Sequence, residues 1–426
     1  MTLAVFLAGL LVPMLLGMPV AFAMLVSGVA LMLAMGQFDV ALMAQTVVNG
    51  ADSFPLLALP FFILAGEIMN VGGLSRRIVD VAVSLLGHLR GGLGYVAILA
   101  TVMLASMSGS AVADAAALSA FLVPMMIKAG YKPARAVGLI AAGAIIAPII
   151  PPSIPFVFFG VLASVSITKL FLAGIVPGLL LAVSLVIAWW WIMRTEAPPR
   201  LPRASARQIG RAFVDGLWAL GMPLIIIVGL KFGIVTPTEA AVACAVYAYL
   251  VSTLVYRELQ HRDLYRIFVR VAMTTSVVML LVATAMLSAW LVTVSGIAQS
   301  VVELVGPLVT SPILLMVVLM VLVVIVGTAL DFGPTVLILT PILMPVVKAA
   351  GIDPVYFGVL FVVNNAIGLI SPPVGTVLNV VAGVSRIGMT EVIKGVWPFM
   401  FAQLAALAAM TFFPWLVTVP AAYFAR

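Results

Sequence analysis

The segment from Ser106 to Phe156 decides the fold, because it joins SMSGSAVAD (106–114) to GLIAAGAIIAPIIPPSIPF (138–156) through a proline-containing apolar stretch. Its pattern returns 221 residues later in the chain. Seven prolines and glycines match at this single offset: Pro124, Gly130, Pro133, Pro151, Pro152, Gly174 and Pro177 correspond to Pro345, Gly351, Pro354, Pro372, Pro373, Gly395 and Pro398. Chance matches would not share one spacing, so the chain contains an internal repeat.

Each copy of the repeat has two interruptions in apolar surroundings. One is a cluster of small or polar residues, and the other is a double proline. In lipid, the backbone groups freed by such a break must be satisfied by protein or by a water-filled cavity. Gly/Pro-interrupted segments in corresponding places of two halves are typical of a transporter binding site.

The composition indicates a polytopic membrane protein. The chain is 65% apolar and 8% charged, with a mean hydropathy of +1.31, and no water-soluble core could hide so much apolar surface. We attribute the net charge of +7 to Lys and Arg on cytoplasmic loops rather than to nucleic-acid binding. Residues 3–34 are too long for a cleavable signal peptide and are expected to form one span with a kink at Gly17-Met18-Pro19.

Two repeats joined by a linker account for the whole chain. We predict an N-terminal repeat over 1–193 (re-entrant hairpin about 94–128, broken helix about 136–165), a basic cytoplasmic linker over 194–211, and a C-terminal repeat over 212–426 (hairpin about 312–347, broken helix about 356–384). Further spans are expected at 55–70, 169–193, 213–230, 238–256, 272–292 and 398–422, with a basic connector at 257–270.

The distribution of basic residues supports this threading. All 21 lysines and arginines except Lys169, Lys231, Lys348 and Arg426 fall on the cytoplasmic side, as the positive-inside rule requires. An odd number of crossings separates the two hairpins, so they enter from opposite faces. The predicted fold class is therefore an all-α polytopic membrane protein with inverted-topology repeats.

The hairpin tips and the broken helices present hydroxyl groups and unpaired carbonyls to a shared space, which suits Na⁺. For sodium in the first copy we select Ser106, Ser108, Gly109, Ser110, Pro148 and Ser153. For sodium in the second copy we select Thr328, Asp331, Thr335, Gly368, Ser371, Gly375 and Thr376. For the substrate we select Ser108, Pro152, Ser153, Asn365 and Pro373. Any single serine could equally serve helix packing, but the duplication favours binding.

Four acidic residues lie in or near apolar runs, where an ionisable group is costly and usually functional: Asp114, Asp331, Glu67 and Glu239. Asp331 corresponds to Ser110 in the first copy, which favours a role at the hairpin tip. Asp114 is either a ligand or a brace for its hairpin. Glu239 follows a Thr-Pro-Thr turn and is interpreted as a first-turn residue favoured by the helix dipole.

Motifs for catalysis are absent from the sequence. There is no P-loop and no HExxH, and both histidines, His88 and His261, fall in predicted cytoplasmic connectors. A hydrolase would need a base paired with one of the serines, and none is visible. We predict no enzymatic activity and no cofactor, with Na⁺ as coupling ion. The open alternatives are a one-component Na⁺- or H⁺-coupled symporter, an ion channel and an intramembrane enzyme.

Six segments in order resemble the large membrane subunit of tripartite ATP-independent periplasmic (TRAP) transporters, and the resemblance covers essentially the whole chain. They are NGADSFPLLALPFFILAGEIM (49–69), SGSAVAD (108–114), APIIPPS (147–153), TPTEAA (236–241), PTVLILTPILMPV (334–346) and GLISPPVGTVLNV (368–380). Within the family, the sequences of these segments are most similar to those of permeases for sugar acids such as 2,3-diketo-L-gulonate.

The resemblance implies Na⁺-driven uptake of an organic acid across the bacterial inner membrane. It implies two partners, a periplasmic binding protein and a small four-helix membrane subunit, which is expected to be a separate chain here. It also implies a scaffold domain and an elevator-type transport domain that contains both hairpins, with sodium sites at the hairpin tips and broken helices.

Overall fold

A computed structural model describes residues 2–196, 201–372 and 374–424. The described residues form helices and no strands. In chain order the helices are α1 (Thr2–Leu15), α2 (Val20–Ala34), α3 (Val40–Ala51), α4 (Ala58–Val71, preceded by the 3₁₀ turn Phe54–Leu57), α5 (Leu74–Leu86), α6 (Gly92–Ser108), α7 (Ala111–Lys128), α8 (Pro133–Ala144), α9 (Ile154–Ala163), α10 (Ile167–Met193), α11 (Ala206–Lys231), α12 (Pro237–Leu250, followed by the π-helical segment Val251–Val255), α13 (His261–Val294), α14 (Ile297–Leu304), α15 (Gly306–Val309), α16 (Pro312–Ala329), α17 (Phe332–Ala349), α18 (Pro354–Gly368), α19 (Thr376–Ser385), α20 (Met389–Phe412) and α21 (Trp415–Phe424).

The internal repeat is confirmed in the helices. The hairpin α6–α7, the broken helix α8–α9 and the long helix α10 correspond to α16–α17, α18–α19 and α20. Helices α7 and α17 differ by 221 residues at both ends. Among the described residues, nine helical stretches are long and apolar enough to cross a membrane. The chain is therefore an all-α polytopic membrane protein.

Local sequence explains where the repeated helices begin. Pro133 and Pro354 occupy first-turn positions of α8 and α18, where the missing N–H of proline is no loss. Asp353 accepts hydrogen bonds from two first-turn amides of α18, and the side chains of Ser110 and Ser153 cap α7 and α9. Both hairpin tips and the first break therefore end at a residue that caps the next helix, whereas the second break ends at Gly375, which has no side chain to do so.

The N-terminal segment differs from the prediction of one kinked span, which is wrong. Helices α1 and α2 pack antiparallel, and the Ser27 hydroxyl donates to the Phe6 carbonyl at 2.8 Å. Gly17 has a positive φ of 88° in the turn, and Gly9 lies close against the backbone of Ser27. The turn at Gly17 and Pro19 reverses the chain instead of bending it, because small residues let the two helices approach closely.

Two other predicted boundaries also differ. The basic connector at 257–270 is largely helical, since α13 begins at His261. The predicted final span at 398–422 is interrupted, because α20 ends at Phe412 and Pro414 stands before α21. The linker range 194–211 contains the start of α11, where Ser205 and Gln208 form a capping box.

The two copies of the repeat interlock. Helix α19 of the second copy packs against α7 of the first, and α9 of the first packs against α17 of the second. Helices α8 and α20 touch through their backbones at Gly138 and Gly395. The rings of Phe159, Phe357 and Phe361 lie with centroids 5.6 to 6.1 Å apart, where α9 meets α18. The candidate sites therefore lie inside one continuous packed unit.

A second group of helices flanks this unit. In this group α4 packs against α12, α5 packs against α11, and α13 packs against both α2 and α3. This group meets the repeats mainly where α5 contacts α6 and where α13 contacts α17. The grouping is compatible with a scaffold and a separate transport domain.

Charged contacts agree with the predicted sides of the membrane. Lys132 pairs with Glu196 at 2.8 Å, and Arg90 donates to the carbonyl of Arg194 at 3.1 Å. These cations were all expected on the cytoplasmic side. Lys231, expected outside, lies 5.2 Å from the ring of Tyr423 near the end of the chain. The predictions for Arg200 and Arg426 lie outside the described residues.

Candidate functional site

The first hairpin tip rests on the break of the first broken helix. Helix α6 ends at Ser108, Gly109 turns the chain with φ of 63°, and Ser110 begins α7. A Cβ on Gly109 would collide with the carbonyl oxygen of Pro152 and would lie 3.6 Å from the amide of Ile154. Only glycine fits at this point, because both the backbone angle and the space exclude a side chain.

The hydroxyl groups of the first copy have different orientations. Ser106 donates to the Met103 carbonyl of its own helix at 2.6 Å. Ser108 accepts from the amide of Ser110 at 3.3 Å, and Ser110 accepts from the amide of Ala113 at 3.3 Å. Ser108 and Ser110 therefore stay at the tip with lone pairs to offer, whereas Ser106 is directed back into α6.

Ser153 shapes the first break. Its fully buried hydroxyl donates to the Pro148 carbonyl and accepts from the Phe156 amide at 3.2 Å. This double hydrogen bond closes the loop of the break and starts α9. The Pro148 oxygen keeps a second lone pair, as any carbonyl does, so the loop still presents carbonyl oxygen.

The second hairpin tip is tied to the second broken helix by a hydrogen bond. Asp331 caps α17 through the Phe332 amide at 2.8 Å, and its Oδ1 also accepts from the Thr376 hydroxyl at 3.3 Å. Thr335 donates to the Asp331 carbonyl at 3.0 Å. Asn365 donates to the Phe332 carbonyl at 3.2 Å. Four of the selected residues are therefore brought together around one tip.

The remaining residues selected for the second copy take part in helix contacts, local hydrogen bonds and a backbone turn. A Cβ on Gly368 would lie 2.8 Å from the Gly327 carbonyl, so α16 and α18 touch there. Thr328 donates to the Ile325 carbonyl of its own helix at 2.7 Å, and Ser371 donates to the Ile367 carbonyl near the end of the preceding helix α18 at 2.9 Å. Gly375 has φ of 29° at the start of α19. Pro373 lies outside the described residues.

Buried oxygen atoms without a hydrogen-bond partner lie beside both tips. Among the described residues they include Oδ2 of Asp114 and Oδ1 of Asn365, and the neighbouring Asn364, whose amide bonds Met320 within α16, also has an unpartnered Oδ1. Asp114 is only 2% exposed and lies in the first turn of α7, directly after the first tip. An unsatisfied buried acceptor is costly, so these positions suit a hard cation or ordered water. No cluster of His, Cys, Asp and Glu that could hold a metal ion occurs in the described part of the chain.

Three buried polar residues escaped the sequence reasoning. Ser119 of α7 and Thr340 of α17 are both buried with unpartnered hydroxyls, and they differ by the repeat offset, which could have revealed them. Gln403 of α20 donates to the Ala142 carbonyl at 2.8 Å while its Oε1 has no partner among the described residues. Nothing in the sequence marks Gln403, because its counterpart in the first copy is Ala182.

The five residues selected for the substrate do not form one contact set. Ser108, Pro152 and Ser153 lie at the first tip and break, whereas Asn365 lies at the second tip. In the described ranges no hydrogen bond joins Asn365 to the first copy. The two sites are neighbours, however. A Cβ placed on Gly333, beside the second tip, would lie 4.0 Å from the ring of Phe158 in α9.

The chain is similar to known transport proteins over nearly its whole length. A sequence model of the tripartite ATP-independent periplasmic transporter, DctM component, matches residues 7–416. The chain is 53% identical to the 2,3-diketo-L-gulonate TRAP transporter large permease protein YiaN of Escherichia coli, over 99% of both chains. It is 37% identical to the sialic acid permease SiaM of Vibrio cholerae, over 93% of both chains. It is 34% identical to the C4-dicarboxylate permease DctM of Rhodobacter capsulatus, over 96% of this chain and 97% of the relative.

Two solved structures share the fold. The YdaH transporter of Alcanivorax borkumensis superposes with a TM-score of 0.64 at 15% identity, covering 86% of each chain. Neisseria gonorrhoeae MtrF superposes with a TM-score of 0.63 at 12% identity, covering 87% of this chain and 83% of the other. At these identities the likeness concerns the fold alone.

Proposed function

Since the chain belongs to the DctM family of tripartite ATP-independent periplasmic transporters, we propose that it carries a small organic acid inward together with Na⁺. The acid is delivered by a periplasmic binding protein, and a small four-helix membrane subunit completes the permease in the bacterial inner membrane. The relatives reported above are named for carboxylates. The 53% identity to the diketogulonate permease favours a sugar acid as substrate.

The duplicated contact between a hairpin tip and a broken helix carries this proposal. In the first copy Gly109 at the tip meets the Pro152 carbonyl, in backbone that belongs to no helix, and in the second copy Asp331 at the tip meets the hydroxyl of Thr376, the first residue of α19. Oxygen atoms of carboxylate, hydroxyl and carbonyl groups are the ligands that hard cations prefer. Each of these two sets of oxygen atoms is therefore assigned one sodium ion.

Sodium and substrate binding follow from the same geometry. Helices α7, α9, α17 and α19 begin at the tips and breaks, and the positive ends of their dipoles favour a carboxylate nearby. Sodium bound at Asp331 and Thr376 would offset the carboxylate charge of Asp331, which otherwise repels an anionic substrate. Ser108, Pro152, Ser153, Asn365 and Pro373 are the proposed substrate contacts.

Transport then requires the site to face each side of the membrane in turn. We assign this movement to the interlocked unit α6–α10 and α16–α20 against the flanking group that includes α4, α5 and α11–α13. The first tip lies at the boundary between these two groups, because a Cβ placed on Gly66 of α4 would lie 3.8 Å from the Cα of Ser108. An intramembrane enzyme has less support, because a hydrolytic serine needs a base beside it. Neither His88 nor His261 lies in a helix of the repeat, and neither is near a selected serine along the chain.

Sodium-dependent uptake into reconstituted vesicles tests the proposal. Ser108→Ala and Thr376→Val each remove one hydroxyl, and the loss of a ligand worth about 1.4 kcal/mol raises the half-saturating sodium concentration roughly tenfold. Thr293→Val is the matched control, because that exposed hydroxyl of α13 bonds only its own helix. The parent should respond sigmoidally to sodium.

Three outcomes would reject the proposal. Uptake driven by a proton gradient without sodium would contradict the assignment of the two sodium sites. An unchanged sodium response in both site variants would contradict it as well. Robust uptake by this chain without the binding protein and the small subunit would favour a one-component symporter instead.

A further inference from the structure

A polar cleft outside the transport site lies between α5, α11 and the segment after α12. Its volume is about 470 Å³, and its charged and aromatic lining includes Arg76, Arg77, Asp80, Asp215, Trp218 and Glu258. It belongs to the flanking group of helices, on the side where the basic residues concentrate. The proposed transport activity does not use it.

Only part of the charge in this cleft is neutralised within the protein. Arg77 pairs with Glu258 at 2.8 Å, donates to the Gly73 carbonyl at 2.9 Å and stacks 3.6 Å from the ring centre of Tyr256. By contrast, the side chains of Arg76, Asp80 and Asp215 form no hydrogen bond or ion pair with any described residue. The cleft thus keeps one cation and two carboxylates available.

The Asp80 carboxyl group is partly buried, and the cations beside it do not fully offset the cost of that burial. Burial raises its pKa above the usual carboxyl value, Arg76 and Arg77 lower it, and the Asp215 carboxylate raises it again. The net direction is upward. A cation placed between Asp80 and Asp215 would relieve both the desolvation and the repulsion.

The cleft opens onto the apolar surface that faces the bilayer. Exposed side chains continue from it along α11 and the π-helical segment, with Val214 67%, Leu217 61% and Leu254 66% exposed. Trp218 lines the cleft at this border, a position typical of an interfacial tryptophan. An occupant that matches both regions carries a charged headgroup on apolar chains.

We propose that this cleft binds the headgroup of phosphatidylethanolamine, with the phosphate at Arg76 and the ammonium group between Asp80 and Asp215. A primary ammonium group donates hydrogen bonds to carboxylates, whereas the quaternary ammonium of choline has no N–H to donate. An anionic phosphatidylglycerol headgroup would bring its charge to two carboxylates without a cation for them. The pattern of one cation and two carboxylates therefore selects the zwitterionic primary amine.

Thermal unfolding of the purified full chain in detergent, with defined lipid added, tests this assignment. Dioleoyl phosphatidylethanolamine should raise the Tm by roughly 2–4 °C relative to the phosphatidylcholine and phosphatidylglycerol of the same chains. Arg76→Gln and Asp215→Asn should each lower the affinity for this lipid about tenfold and remove the preference. Arg207→Gln and Glu391→Gln change the same charges elsewhere and should keep it. Native mass spectrometry should show the same order of retained lipid.

Four results would overturn the proposal. The first is equal stabilisation by phosphatidylcholine. The second is an unchanged lipid preference in Arg76→Gln and Asp215→Asn. The third is equal stabilisation by soluble phosphoethanolamine, which would show that no lipid is required. The fourth is a weakened association with the small membrane subunit in Asp215→Asn without any change in lipid retention, which would make the cleft a protein interface.

Discussion

The contact between α8 and α20 is the place where one added methyl group should do the most damage. A Cβ on Gly395 would overlap the carbonyl oxygen of Ala134 and lie 2.7 Å from its carbonyl carbon. The obstacle is backbone, so no side chain can rotate away. Gly138 meets the Gly395 backbone from the other side, and the two helices must therefore separate to admit an alanine.

The size of the effect follows from two opposing terms. Overpacking costs about 1–3 kcal/mol or more, while Gly→Ala in a helix interior gains about 1 kcal/mol from helix propensity. Gly383→Ala is the matched control, because Gly383 of α19 has open space around its added Cβ and shows the gain alone. We expect Gly395→Ala to be less stable than Gly383→Ala by about 1–3 kcal/mol, the overpacking cost that only the first variant carries.

Thermal unfolding of both variants in detergent measures this difference, with sodium-driven uptake as a second readout. Gly395→Ala should unfold at a lower temperature than the parent, and its uptake should fall because the interlocked repeats are displaced. If Gly395→Ala unfolds at the same temperature as Gly383→Ala, the two helix backbones are not in contact and the described interlocking of the repeats is wrong.

Three further experiments test separate features of the molecule. In a cysteine-free background, Ile234→Cys should react with an impermeant thiol reagent on intact cells and Arg262→Cys should not, and labelling of the latter would reverse the topology. Because the folded-state pKa of Asp80 is raised, ionisation of this carboxyl group destabilises the fold; Asp80→Asn should therefore raise the Tm near neutral pH in lipid-free detergent, and the gain should vanish as the pH falls through the carboxyl range, whereas a pH-independent gain would contradict this cause. Trp189→Phe breaks a buried hydrogen bond of 2.8 Å to a backbone carbonyl and should cost about 1–3 kcal/mol in thermal unfolding, while Trp191→Phe, at a side chain that is 67% exposed, should cost little.

Sequence reasoning worked best where the chain signals a local backbone requirement. The hairpin tips and the breaks were located because glycine, proline and capping residues act within a few positions of themselves. The same reasoning failed at the N-terminus, where a Gly-Pro pair is compatible with both a kink and a reversal. Packing between Ser27 and Phe6 decides between them, and that contact is not local.

The candidate sites were predicted only in part, for a related reason. Composition identified the polar clusters, but hydroxyls that bond their own helix, such as Ser106, look the same in a sequence as hydroxyls that face a partner. The role of Asp331 depended on Thr376, which lies 45 residues away in the chain. Ser119 and Thr340 carried a readable signal in the repeat offset, and Gln403 carried none.

The sequence by itself determined the membrane class, the internal repeat, the two hairpin tips and the two double-proline breaks, because hydropathy and backbone restriction are properties of short stretches. The tertiary structure alone decided that α19 packs on α7 and α9 on α17, so that each copy completes the other. It also decided that Arg76, Asp80 and Asp215 share one cleft. Such contacts join residues far apart in the chain, and their free energy depends on which apolar surfaces are buried together rather than on any local pattern.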